Sequence, residues 1–190
     1  MKTDPPAMDS RLGSCRYDLD DEWHIVAVDD AWSAFARAND APELLPPAPI
    51  GQKVLSYVED HTTVALYEAL FARARRTRVP ITIPFRCDSP TRRRYLDLRI
   101  EAKARSGLRL RSRLLRSEAR EAVPLLDRRR PRDGRLLRMC SFCKRVEAHD
   151  RWCEVEDAVT SLRLFDSFSL PTLTHGLCYA CYERATALLD

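Results

Sequence analysis

Two cysteine doublets, Cys140-Ser-Phe-Cys143 and Cys178-Tyr-Ala-Cys181, constrain this 190-residue chain more than any other feature. Thiolates at positions i and i+3 of a tight turn converge on one point. Two such turns complete a four-sulfur tetrahedron of the kind zinc prefers. Cys140, Cys143, Cys178 and Cys181 are therefore the expected metal ligands, with a closed shell and a structural role. Iron in the same four-sulfur site is the alternative metal, and a disulfide pair or redox motif the alternative chemistry. His175, three residues before Cys178, is the rival ligand. Thirty-four residues separate Cys143 from Cys178. That is longer than a simple ribbon of about 15–20 residues, so a helix and a loop are expected in between.

Location bears on the choice between metal and disulfide. The N-terminus, Met1-Lys2-Thr3-Asp4-Pro5-Pro6, shows no apolar core after a basic start, and no apolar run is long enough to span a bilayer. A cytoplasmic protein with no membrane contact is expected, and reduced thiols there favour metal. Charge is uneven. Residues 61–138 carry 22 basic and 8 acidic side chains, a net +14, while residues 1–60 carry 5 and 12. Such a segment could meet a nucleic acid. Arginine outnumbers lysine 28 to 4, a bias that also follows from genome composition, so nucleic acid is the lesser of the partner expectations.

Local patterns give an α+β chain. Residues 1–14 are polar and expected to be disordered. Tyr17–Leu19 and Trp23–Val28 are expected strands. Asp29 or Asp30 can cap a helix over Ala31–Ala38, and Asp60 or Thr62 a longer one to about Arg76, with Val64, Tyr67, Leu70, Phe71 and Ala74 on one face. Three alternating strands follow, around Ile81–Cys87, Tyr95–Ile100 and Leu108–Leu114, the last two joined by Ser106-Gly107. Pro84 marks the first of them as an edge or bulge. Arg86 and Asp88 are a candidate ion pair beside the cluster Arg92-Arg93-Arg94, read here as a charged hairpin edge. Val123–Arg138, with Pro124, Pro131 and Gly134, reads as a linker between a domain at 15–122 and a four-cysteine module at 139–190. In that module Val155, Val159 and Leu162 have helical spacing, and a terminal helix over Tyr179–Leu189 is expected.

The order strand–strand–helices–three strands over residues 15–117 resembles the PAS fold, a five-stranded antiparallel sheet with helices inserted between its second and third strands. The tail, Cys140-Ser-Phe-Cys143-Lys144 followed by His175-Gly176-Leu177-Cys178-Tyr179-Ala180-Cys181, is similar to short CxxCK and HGxCxxC tails on bacterial PAS-containing sensors and response regulators. It differs in carrying Tyr179 where proline is commoner and in the apolar stretch Leu162–Leu170. The resemblance implies a sensory or dimerising domain and a small zinc-ribbon-like module. It also implies a protein partner or second copy, and an unidentified small ligand. A bacterial regulatory protein that is not an enzyme is expected. A zinc-dependent nucleic-acid-binding regulator and a thiol redox switch are the alternatives. His61 is the candidate haem ligand in such a domain. Cys87 reads as a core thiol, Cys153 as packing, and Cys15 as uninformative. No P-loop, GxSxG, HExxH or Rossmann glycine pattern occurs, and only five glycines are present.

Overall fold

The computed structural model describes residues 14–39, 41–164 and 168–190. The expected disorder at 1–14 therefore lies almost wholly outside the described residues. Strands β1 (Ser14–Leu19) and β2 (Ile25–Val28) form a hairpin. Asp20 holds its turn, accepting the backbone N–H groups of Glu22 (2.9 Å) and His24 (2.8 Å). Helix α1 (Asp30–Ala38) starts on Asp29, whose carboxylate accepts the Trp32 N–H. Helix α2 (His61–Thr77) starts on Asp60, which accepts from Thr63, and ends on Arg78 in the left-handed region. Leu66, Leu70, Phe71 and Ala74 form its buried stripe. The Pro-rich stretch between the helices makes two short 3-10 turns, Pro42–Leu44 and Val54–Tyr57.

Strands β3 (Ile81–Arg86), β4 (Arg92–Ala102) and β5 (Leu108–Ala119) complete a five-stranded sheet of order β2-β1-β5-β4-β3. Every pair in it is antiparallel, and both helices lie between β2 and β3 in the chain. β3 stands at an edge, where Pro84 removes no ladder bond. Gly107 (φ 77) makes the β4–β5 turn, and a Cβ there would sit 2.0 Å from the Leu19 carbonyl oxygen. Gly107→Ala combines a left-handed backbone with a backbone clash. It is expected to cost about 2 kcal/mol or more. A denaturation midpoint equal to that of the unsubstituted chain would contradict this account.

The stretch 123–138 is not a linker. Val123 and Leu125 are buried, and Arg132–Cys140 forms strand β6. Arg132 pins the approach by donating to the carbonyls of Leu125, Asp127 and Pro171 at 2.8–3.1 Å. β6 opens a second sheet with β7 (Val146–Ala148), β8 (Arg151–Cys153) and β9 (Leu170–Gly176), in the order β8-β7-β6-β9. β6 and β9 run parallel, and helix α3 (Val155–Ser161) lies in the crossover between them. Val123, Leu125, Val146, Val155 and Ala158 share a core beneath this sheet. Helix α4 (Tyr179–Thr186) ends earlier than the expected Leu189.

The cysteine-bearing segments do not form a detached module. Cys140, Phe142, Cys178, Cys181 and Ala185 belong to the same buried cluster as Leu70, Phe71, Ile83 and Leu98 of α2 and the first sheet. The Arg86 N–H donates to the Phe142 carbonyl at 2.7 Å, so the cysteine turn covers the β3 edge. The β2 edge is met by its own loop, the Ile25 N–H donating to the Gln52 carbonyl at 2.9 Å and the Ile25 carbonyl accepting from the Gly51 N–H at 2.8 Å. One end of each edge strand is thereby occupied. No helix among the described residues is long and apolar enough to cross a membrane.

Candidate metal centre and cavity

The parallel pairing of β6 with β9 brings the two cysteine turns together. Cys140 ends β6 opposite Gly176, the last residue of β9, and the Ser141 N–H donates to the Gly176 carbonyl at 2.7 Å. After Cys140 the chain reverses through Lys144, which adopts φ 60, and Cys140 and Arg145 close the turn with a 2.8 Å bond. Cys178 precedes α4, and Cys181 sits in its first turn, where the helix N-terminus favours negative sulfur. Gly176 has an ordinary backbone, so its part is not a special turn conformation. A Cβ there would press on the Arg138 side chain at 2.9 Å.

The four sulfurs of Cys140, Cys143, Cys178 and Cys181 all lie within 4.8 Å of one another, and none is in a disulfide. The Cys143–Cys178 pair is separated by 3.7 Å. A tetrahedron with metal–sulfur bonds near 2.3 Å has sulfurs about 3.8 Å apart, so the spacing fits a metal ion and far exceeds a sulfur–sulfur bond. The thiols also cannot share this space as free ionised groups. Hydrogen bonds from Cys143 and Cys181 hold the Cys140 thiol well below its ordinary range. That same partner pushes Cys143 up, and Cys181 up to about 11. A cation at the centre relieves the conflict. The Cys178 N–H reaches the Cys140 sulfur at 3.4 Å, and Arg184 donates to the Cys181 sulfur at 3.2 Å. These donors suit sulfurs that carry negative charge.

The remaining candidates fall outside this cluster. His175 lies on β9 and turns to Glu59, 3.3 Å away, rather than to the sulfurs. Cys153 points at the Val146 carbonyl, 3.6 Å away. His61 is exposed at the start of α2 and does not line the cavity described below.

An ion-pair lock joins the first sheet to α3. Arg86 donates to both oxygens of Asp88 and, at 2.7 Å, to Glu154 just before α3. Arg120 reaches Asp88 (3.3 Å) and Glu156 (3.0 Å), and Arg93 reaches Glu156 (3.0 Å). The Arg86–Asp88 pair was expected from sequence, but its partners from residue 154 onward were not. Burial raises the Glu154 and Glu156 carboxyls. The bonds and charge of Arg86 on the first, and a backbone N–H bond with the charges of Arg93 and Arg120 on the second, outweigh it and hold both below the usual range.

Between the two helices and the sheet lies a cavity of about 230 Å³. Its wall includes Tyr17, Trp32, Tyr67, Leu96 and Leu98, with Ser14, Cys15, Cys87, Arg94 and Ser112 among its polar members. Cys15 is not at a frayed end. It pairs within β1, and its sulfur lies 2.8 Å from the Ser112 hydroxyl. Cys87 lines the cavity rather than filling the core. Arg94 also escaped the sequence reading, although a signal was present. The inward series Ile100, Leu98, Leu96 continues at the same spacing to Arg94, which is buried. Tyr67 borders the cavity and also meets Phe142 edge-on, with ring centroids 5.6 Å apart. Phe142 lies between Cys140 and Cys143, so one ring separates the cavity from the cysteine turn.

Neither a protein-family model nor a curated protein matches this chain.

Proposed function

We propose that this chain is a non-enzymatic regulatory protein, with a PAS-like domain that senses a small ligand or pairs with a second copy. Zinc held by Cys140, Cys143, Cys178 and Cys181 braces the C-terminal segment as a docking element for a signalling partner. The strand order, and the placement of α1 and α2 between β2 and β3, support the PAS-like reading. Zinc is favoured because the four ligands are all sulfur, at a spacing that suits a tetrahedron. Four protein ligands leave no position for water, so the ion stabilises structure and activates nothing.

The observation that carries the regulatory reading is the Tyr67–Phe142 contact. The ring that walls the cavity also packs on the turn that holds the metal ligands. A change at one is therefore felt at the other. Charge pairing weighs against nucleic acid as the main partner. On the exposed sheet face Arg109 pairs with Asp18 at 2.9 Å, Arg113 with Asp97 at 2.7 Å and Arg99 with Glu101 at 2.8 Å. These three arginines are engaged by carboxylates on the sheet face.

Metal analysis and hydrogen exchange on the full chain, purified without chelator, test the proposal. About one zinc per chain is expected, and a cobalt-substituted sample should show the spectrum of tetrahedral thiolate coordination. Chelation is expected to speed exchange in residues 140–145 and 178–186, and also in α2 around Tyr67. Absence of metal would remove the zinc brace. Unaltered exchange in α2 would remove the coupling on which the sensing reading stands.

A further inference from the structure

The cavity contains a buried cation, Arg94, that has no counter-ion among the described residues. Arg94 is 7 % exposed. Its Nη1 donates to the Asn39 side-chain oxygen at 3.1 Å and, at the long distance of 3.4 Å, to the Cys87 carbonyl. Its Nε is buried with no acceptor, a condition shared by Arg93 and Arg120, and the difference lies in the carboxylates. Among the described residues no carboxylate approaches its guanidinium within ion-pair distance. Asp88 accepts only the Arg94 backbone N–H, at 3.3 Å, while its oxygens serve Arg86 and Arg120. The contrast with those two is direct. Arg86 meets Asp88 and Glu154, and Arg120 meets Asp88 and Glu156, so each comparably buried neighbour has two carboxylates. Arginine does not shed its proton, and a buried charge that lacks an opposite charge is costly. Two neutral acceptors hold Arg94 in place without neutralising it.

We propose that the cavity binds a small aryl carboxylic acid, with the carboxylate on Arg94 and the ring among Tyr17, Trp32, Phe35 and Tyr67. The proposal deepens the sensing reading given above and rests on it. Three features select the ligand class. A guanidinium presents a planar fork that fits a carboxylate in two parallel bonds, and its Nε is unspent. One cation balances one carboxylate, whereas a phosphate would bring a second, unanswered charge. The rest of the wall is mostly apolar and rich in aromatic rings, with Tyr17 and Trp32 already edge-on at 5.1 Å. The volume of about 230 Å³ lies below the roughly 300–1,000 Å³ of pockets for drug-sized molecules, so the acid is small. Cys15 and Ser112 satisfy each other and do not compete for it.

The probes are phenylacetate, 2-phenylethanol and phenethylamine, titrated by calorimetry into the metal-loaded full chain. Phenylacetate is expected to bind saturably, about ten- to a hundredfold tighter than the alcohol, and the amine to be excluded. Arg94→Gln is expected to erase the preference for the acid while keeping the metal content of the unsubstituted chain. An alcohol that binds as tightly as the acid would overturn anion recognition and leave the cavity a ligand site. Failure of all three probes would overturn the inference and deprive the sensing reading of its cavity as well. Should Arg94→Gln not fold, the comparison of acid with alcohol on the unsubstituted chain still decides.

Discussion

Replacing Cys178 with serine is expected to remove the metal and to open the C-terminal segment to proteolysis. Its sulfur is one of four that lie within 4.8 Å of one another, and it is buried. Structural zinc contributes about 10–16 kcal/mol of apparent binding free energy in isolated finger peptides, against a net stability of about 5–15 kcal/mol for a typical protein. Loss of even about 4 kcal/mol would lower the melting temperature of a chain this size by roughly 8–16 °C. The effect should reach past the tail, because Cys178 shares its buried cluster with Ile83 and Leu98 of the first sheet. Cys153→Ser is the control, since that sulfur bonds to the Val146 carbonyl outside the cluster. It should keep its metal and melt near the unsubstituted chain. A Cys178→Ser chain whose tail resists protease would refute the structural role.

The second large effect is expected at Arg86. Its side chain is 7 % exposed and that of Asp88 is 2 % exposed, so Arg86→Met leaves a buried carboxylate with the more distant Arg120 as its remaining cation among the described residues. Breaking a buried pair on one side costs about 3–5 kcal/mol. Chemical denaturation of Arg86→Met, Glu154→Gln and the double variant measures the coupling, and additive single effects would show that the lock is not a unit. The same lock has a pH signature. Glu154 and Glu156 lie below their unfolded range, so their stabilisation is complete above about pH 4.3. It is lost as the pH falls through their lower folded values. Acid should therefore loosen the joint between β3 and α3. In Arg86→Met the acid limb should be shallower, because Glu154 no longer gains from that partner.

What the sequence disclosed and what it hid divide by range. Local chemistry was legible. Asp60 caps α2, Pro84 falls on an edge strand, and Gly107 makes the turn that needed a glycine. The cluster of four cysteines was legible because i, i+3 pairing leaves a signature even when the pairs are far apart. β6 was not. Arg132 to Arg135 alternate no apolar residues, Pro131 and Gly134 suggest a loop, and Leu136 is exposed. That strand exists through its parallel pairing with β9, some 35 residues on, which no local pattern records. The roles of Glu154 and Glu156 in the lock were hidden for the same reason, since Arg86, Arg93 and Arg120 lie more than 30 residues away and only Arg145 is near Glu154 in the chain. Arg94 was masked differently: its neighbours Arg92 and Arg93 gave a charge run that outweighed the period-two alternation.

The shared core of the first sheet and the cysteine turns sets how the chain must fold. Leu19 and Ala185, near opposite ends of the described residues, are buried in one cluster. Contacts of that separation pay their loop-closure entropy before they return any stabilisation, so they slow folding. The five-stranded sheet cannot bury its helix-facing side around Phe142 until β6 and β9 have found each other. Capture of a metal by the four cysteines would need both turns in place and would belong to the late part of the reaction. Denaturation should follow a single transition that coincides for both sheets, and refolding should gain its final amplitude only when metal is present.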